Sequence, residues 1–303
     1  VKSIIPHQRP SGITGFVMNT RKPKFADWRV REALIAAFNF EFINQANTGG
    51  RQERITSYFS NSVLSMEVGP AKGRVLELLE PYADTLLPGT IEGYRLPQSD
   101  GSARNRKNIR AADALLTKAG WTVQDGVRRN AKGTPFEITV TLKQGDTESQ
   151  SMMDIYQQAL ERLGITLTTE VLDAAQYKER TQIYDFDMAY YRRGLSLSPG
   201  NEQMLYWGGY GVDQPGTRNW MGMNSPAAES MIAKLVSSTS REDFLAAVKA
   251  LDRILTAGRY VIPIHTSSFS RLAHVKEIKY PDRLPMYGDW IGFLQDVWWY
   301  EAQ

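Results

Sequence analysis

F-E-I-T-V-T-L, Phe136 to Leu142, alternates apolar with polar and β-branched residues and reads as a strand. Thr147 opens a helix whose Ile155, Tyr156, Ala159, Leu160 and Leu163 share one face, and Gly164 ends it. Ile165 to Leu172 is a second strand, Asp173 caps a short helix, and Asp185 to Tyr191 is a third strand. Strand, helix, strand, helix, strand implies at least one right-handed βαβ unit in a mainly parallel or mixed sheet. Ligands of such open sheets sit beyond the carboxyl ends of the strands.

The stretch that leaves the third strand is Y-Y-R-R-G-L-S-L-S-P-G-N-E-Q-M-L-Y-W-G-G-Y-G, Tyr190 to Gly211. It gathers hydroxyls, an amide, a carboxylate, two guanidinium groups and several aromatic rings, but no nucleophile with its base and no metal-ligand set. Loops held on a rigid scaffold often carry function, so the stretch reads as the lip of a binding cleft. The alternative is an irregular surface loop whose rings pack on the core. Arg192 and Arg193 fall on opposite faces of the strand, so one is expected to face the cleft, where it could pair bidentately with a carboxylate or phosphate. Ser196, Ser198 and Asn201 are candidates for reading a peptide backbone by hydrogen bonds, which gives affinity without sequence selectivity. Trp207, Tyr206 and Tyr210 either stack on a ligand or pack in the core. Tyr58, Asn61 and Ser62 form a second candidate wall. Gly208-Gly209-Tyr210-Gly211 lacks the strand and helix context of a dinucleotide signature.

Further out, Ile13 to Asn19 reads as a strand, and Asp27 caps a helix with Val30, Ala33, Leu34, Ala37 and Phe38 on one face. Thr48 to Gly69 is polar and loop-like, a short helix runs from Gly73 to Leu79, and Leu87 to Arg104 wraps the surface. Asn108 is expected to cap a helix carrying Ala112, Leu115, Leu116 and Ala119, stopped by Gly120. Ser225 with Pro226, and Ser240 with Asp243, open two more helices. Val261-Ile262-Pro263-Ile264 reads as a strand whose proline suggests an edge or a crossover.

Composition excludes several classes. An apolar share of 42% supports a real core, and 36 Lys plus Arg against 33 Asp plus Glu leave a net charge of only +3, with no basic stripe for nucleic acid. No apolar run is long enough to span a bilayer. With no cysteine, disulfides and thiolate chemistry are absent. His7, His265 and His274 stand apart from any ligand spacing and read as structural, so neither a metal nor a cofactor is expected. A carboxylate pair can make a glycosidase, and the hydrolase alternative uses Asp187 and Glu202 as acid and base. The opening Val1-Lys2-Ser3-Ile4-Ile5-Pro6 reads as the interior of a longer gene product.

Several motifs together resemble family 5 extracellular solute-binding proteins, the oligopeptide and dipeptide receptors of ABC importers. They are N-T-R-K-P-K-F-A-D-W-R-V-R-E-A-L (Asn19 to Leu34), N-I-R-A-A-D-A-L-L-T-K-A-G-W (Asn108 to Trp121), L-G-I-T-L (Leu163 to Leu167) and A-L-D-R-I-L-T-A-G-R-Y-V-I-P-I-H (Ala250 to His265). S-Y-F-S-N-S (Ser57 to Ser62), D-A-A-Q-Y (Asp173 to Tyr177) and S-L-S-P-G-N-E-Q (Ser196 to Gln203) are similar to the Yej-type subgroup, which serves oligopeptide and microcin C uptake.

The resemblance implies an α/β, periplasmic-binding-protein-like (type II) lobe with a mixed β-sheet flanked by helices, plus a C-terminal segment that belongs to the other lobe. Residues 1–14 would be a hinge from a missing N-terminal lobe, 15–268 the second ligand-binding lobe, and 269–303 a crossover onto the first. Trp290, Phe293, Trp298, Trp299 and Tyr300 would then pack on that missing lobe. It implies a periplasmic, non-enzymatic receptor that closes on an oligopeptide or peptide-like ligand and delivers it to a membrane permease, with opines or oligosaccharides as alternative ligands. In the better-known oligopeptide receptors an aspartate just after the matching strand grips the peptide amino group. Here Gly194-Leu195-Ser196-Leu197-Ser198 stands there, with no carboxylate until Glu202. Glu202, Asp213 or backbone reading could replace it.

Overall fold

A computed structural model describes residues 1–289 and 297–302; Trp290 and Phe293 lie outside the described residues. Its centre is a five-stranded mixed sheet in the order Thr166–Leu172, Glu137–Lys143, Met188–Arg193, Ile13–Met18, Val261–Pro263. The first three strands are mutually parallel. The helix Thr147–Glu161 makes the crossover between Glu137–Lys143 and Thr166–Leu172, as the period change from two to 3.6 requires. Ile13–Met18 runs antiparallel to both of its neighbours, with Ile13 opposite Arg193 and Met18 opposite Met188. Val261–Pro263 is the edge, where Pro263 leaves no ladder donor wanting.

Alternation along the strands feeds two cores. Phe16, Met18, Val140, Met188 and Ile262 join one, with the helices Trp28–Ala37 and Arg106–Lys118. Ile13, Val17, Ala189, Tyr191 and Val261 join the other, with the helices Pro226–Ser237 and Arg241–Ala257. The caps at Asp27, Ser225 and Ser240 form as expected, each side chain accepting from a first-turn N–H. Asn108 does not cap. The helix starts at Arg106, behind Asn105 at a positive φ of 42°, and Asn108 is buried one turn in, donating to the Gln98 carbonyl at 3.1 Å. Elements not expected include a helix over Phe40–Thr48 capped by Asn39 and a hairpin of Thr122–Gln124 with Val127–Arg129.

Lys2–Pro6 pairs antiparallel with Phe269–Ala273, so the first and last parts of the chain run side by side. Farther along, Tyr280 stacks on Trp298 at 4.7 Å with His274 edge-on to both, while Trp299 and Tyr300 stay exposed.

Long irregular segments are held by buried charges on the helix Arg241–Ala257. Arg253 donates to the carbonyls of Glu67 (2.9 Å), Gly69 (2.7 Å) and Thr90 (3.2 Å). Asp252 accepts from the Ser57 hydroxyl (2.7 Å), Phe59 N (3.1 Å) and Met66 N (2.9 Å).

Burial pushes the Asp252 carboxyl up to about 6, against the pull of those three donors. The native state therefore holds this proton more tightly than the unfolded chain, whose value is about 4. Stability from this group is complete below about pH 4, falls as pH rises to about 6, and is level above that, a loss of about 3 kcal/mol. Urea midpoints between these pH values should show the fall in the parent protein and a flattened profile in Asp252→Asn. A second test concerns packing at Gly15, where a methyl would sit 1.9 Å from the Ile262 carbonyl oxygen. Gly15→Ala should cost about 3 kcal/mol in a denaturation curve, the upper end of overpacking effects.

Candidate functional site

The strand Met188–Arg193 ends where the antiparallel Ile13–Met18 begins. At that end of the sheet a cleft of about 1170 Å³ opens, lined by Thr14, Tyr190, Arg192, Arg193 and Ser196. Its opposite wall comes from the two side-by-side terminal segments through His7, Arg9, Phe269, Ser270 and Asp289, and His265 follows the edge strand into it.

Both arginines reach the cleft, one from each face of the sheet, because the opening straddles the strand's end. The difference from the expectation of one is geometric: the two arginines form the last two ladder pairs, opposite Thr14 and Ile13, where long side chains on either face reach past the sheet's end. Arg193 is half-buried, with its guanidinium 4.5 Å from the Tyr206 ring and 5.8 Å from the Tyr191 ring. Cation–π contact holds it without neutralising it. Burial, partly opposed by Arg193, raises the Tyr191 hydroxyl above its ordinary range, so it stays neutral. Arg192 is exposed. Neither makes an ion pair among the described residues.

Ser196 lies between the large cleft and a smaller hollow of about 350 Å³ that also takes in Ser198, Glu202 and Tyr206. The Ser196 hydroxyl accepts from the Ser198 N–H at 3.2 Å. Beyond it the chain forms a helix over Glu202–Trp207 that the loop-like text had concealed. Glu202 sits in its first turn and takes the Gly200 N–H with both oxygens, at 2.9 and 3.0 Å, a favourable place for an anion. Asn201 precedes that helix, exposed and making no cap bond. Asp213 is exposed after a turn that Arg21 ties down through the carbonyls of Gly211 (2.9 Å) and Val212 (2.6 Å).

The structure gives Trp207 and Tyr58 to the core rather than to the cleft. Trp207 is fully buried, donates to the Gln203 side chain at 2.8 Å, and meets the Tyr58 ring edge-on at 5.3 Å. A six-residue helix has too few backbone bonds to stand alone, so this ring pins it to the core beside Tyr58. Asn61 acts from behind the cleft wall. Its φ of 64° lies in the left-handed region that Asn tolerates. Its amide donates to the carbonyls of Arg9 (2.9 Å) and His7 (3.3 Å), which fixes the segment that carries those side chains. Arg9 in turn pairs with Asp289 at 3.0 Å and donates to Ser270 at 3.0 Å, tying the first segment to the last.

The proposed acid–base pair does not meet. Asp187 precedes the six-residue strand, paired with Lys24 at 2.5 Å and accepting from Thr139 N at 3.1 Å, whereas Glu202 follows it. An extended strand of that length separates its ends by about 20 Å, beyond the roughly 5–9.5 Å that glycosidic carboxylates need. His7 and His265, read from the sequence as structural, both line the cleft. Burial and the nearby Arg9 charge lower the His7 value, with Asp289 opposing. No spacing signal pointed to either, because the fold alone brings them to the strand end. Among the described residues there is no metal-holding group of His, Cys, Asp and Glu, and no helix long and apolar enough to cross a membrane.

Comparison with known proteins places this geometry in a family. The family model described as bacterial extracellular solute-binding proteins, family 5, middle, matches residues 2–214. The chain is 34% identical to the peptidoglycan-binding protein YepA of Agrobacterium fabrum, over 99% of its own length and 48% of the relative's. It is 35% identical to the probable peptide-binding protein YejA of the same organism, over 94% and 46%. The chain thus spans about half the length of the curated relatives it matches. Among solved structures, the oligopeptide-binding protein AppA of Bacillus subtilis, in complex with a nonapeptide, superposes with a TM-score of 0.71 at 16% identity, over 99% of this chain and 53% of that one. NikZ of Campylobacter jejuni, in complex with Ni(L-His), gives 0.67 at 14% identity over 98% and 53%. At such identities the likeness shows the fold.

Because Trp207 pins the short helix, Trp207→Phe should lower stability by about 1–3 kcal/mol in urea unfolding, the range for imperfect refilling of a core site. Because Phe keeps a ring in the core to hold the helix, and with it Tyr206 beneath Arg193, ligand affinity should stay within about twofold under native conditions, a change of only about 0.4 kcal/mol.

Proposed function

We propose, from the premise that this chain belongs to the bacterial extracellular solute-binding proteins of family 5, that it forms the cleft-bearing lobe of a receptor that captures peptides and hands them, chemically unchanged, to an ABC importer. The observation that carries this reading is the large open cleft at the carboxyl end of Met188–Arg193, walled by hydroxyls and guanidinium groups instead of paired catalytic groups. The names of the YejA and YepA relatives, which point to peptide and peptidoglycan binding, support a peptide or peptide-like ligand.

Residues 1–14 act in this proposal as hinge, 15–268 as the lobe and 269–303 as the crossover to a first lobe. The pairing of Lys2–Pro6 with Phe269–Ala273 supports it, because two adjacent strands make a natural pair of hinge connections. The Arg9–Asp289 bridge then ties both connections together beside the cleft. Ser196 and Ser198 offer hydrogen bonds to a peptide main chain, and roomy water-lined surroundings admit varied side chains. The receptor works in the periplasm, with the permease of the importer as its partner.

Native mass spectrometry of the full-length protein with a mixed peptide pool tests the reading. Intact peptides should be retained. Cleaved products, or retention of sugars in preference to peptides, would overturn it.

A further inference from the structure

The cleft does not end at the strand terminus. A second hollow of about 250 Å³ shares Gln52, Thr266, Ser267 and Phe269 with it, so the two form one trough. The charges along that trough are uneven. Arg192 and Arg193 stand at the end next to the sheet, and Arg51 and Arg271 line the second hollow. None of these four has a carboxylate partner among the described residues. Arg51 donates to the Thr48 carbonyl at 2.7 Å, and Arg271 lies 5.0 Å over the Phe269 ring, contacts that orient the guanidinium groups and leave their charge intact.

Opposing them is Glu53 in the second hollow, while Asp289 is already taken by Arg9. The rest of the molecule gives no reason for this excess, since the whole chain of 303 residues carries only +3. A concave wall lined by one sign of charge focuses its field and raises the local concentration of the opposite charge. Guanidinium groups held ready on rings suit bidentate pairing with carboxylates.

We infer that the trough selects acidic peptides, one carboxylate meeting Arg192 and Arg193 and a second meeting Arg51 and Arg271. The inference rests on the peptide-receptor reading and narrows it. A free peptide C-terminus supplies one carboxylate; an acidic side chain supplies the other. Neutral peptides can still use the serine hydroxyls, but leave one cationic end unpaired.

Calorimetry on the full-length protein with Ala-Glu-Ala-Glu and its isostere Ala-Gln-Ala-Gln, both amidated at the C-terminus so that only side chains supply carboxylates, tests this at about 20 mM and about 200 mM salt, where screening lengths differ about threefold. The acidic peptide should bind at least about tenfold more tightly at low salt, and its advantage should shrink at high salt. Arg192→Gln and Arg271→Gln, both at exposed side chains and so compatible with folding, should each lower the acidic peptide's affinity about tenfold and leave the glutamine peptide within about twofold. Equal affinities for the two peptides, or variants that weaken both alike, overturn the selectivity while keeping the receptor. Failure of both peptides to bind overturns the receptor reading and the selectivity with it.

Discussion

The antiparallel pairing of Ile13–Met18 with Met188–Arg193 is the constraint from which the rest follows. It joins a strand near the start of the chain to one far along the sequence and sets which residues face each core. A one-residue slip would exchange Phe16 and Met18 for Ile13 and Val17 between the two cores and turn every side chain to the wrong face. Gly15 secures the register from the other side, because the Ile262 carbonyl occupies the space of a side chain. The cleft lies where this pairing ends, so its walls inherit their positions from the ladder. That is the sense in which the site is built on a rigid element instead of on a loop.

Around the sheet the chain is unusually rich in irregular structure, and buried backbone without a ladder must find partners elsewhere. Arginine side chains meet that need. Arg253 takes carbonyls from the segment before and after Gly73–Leu79, and Arg21 takes those of Gly211, Val212 and Asn219. Arg128, fully buried, donates to the Leu163 and Trp121 carbonyls at 2.6 and 2.9 Å. One guanidinium with five donors can satisfy several carbonyls that no strand reaches. Sequence alone could not tell these arginines from the ones in the cleft, since both kinds sit in ordinary mixed surroundings.

That ambiguity marks the limit of what the residues disclose. Periodicity and caps made the βαβ unit, the helices after Asp27, Ser225 and Ser240, and the proline edge strand legible, because each depends on neighbours in sequence. The location of the cleft was legible for the same reason, through the loop after Tyr191. The short helix at Glu202 was not, because its stability comes from Trp207 docking against Tyr58, a contact between distant segments. Asn108 misled because a capping residue type sat one turn inside a helix whose true start used Asn105 in a left-handed conformation. His7 and His265 carried no local signal; the terminal and edge strands alone set them beside the sheet.

The same docking explains why Arg193 is available. Trp207 fixes the helix Glu202–Trp207, the helix fixes Tyr206, and the Tyr206 ring supports the guanidinium at 4.5 Å. A ring orients a cation and leaves its charge for a ligand, whereas a carboxylate would consume it, as Asp289 does for Arg9. Aromatic residues that the loop seemed to offer to a ligand thus serve one layer back, and what they present is charge with little left to reorganise. Pre-ordering of this kind lowers the cost of association. In the proposed receptor, a ligand paired with a guanidinium held in this way would also be free to leave, as a carrier requires.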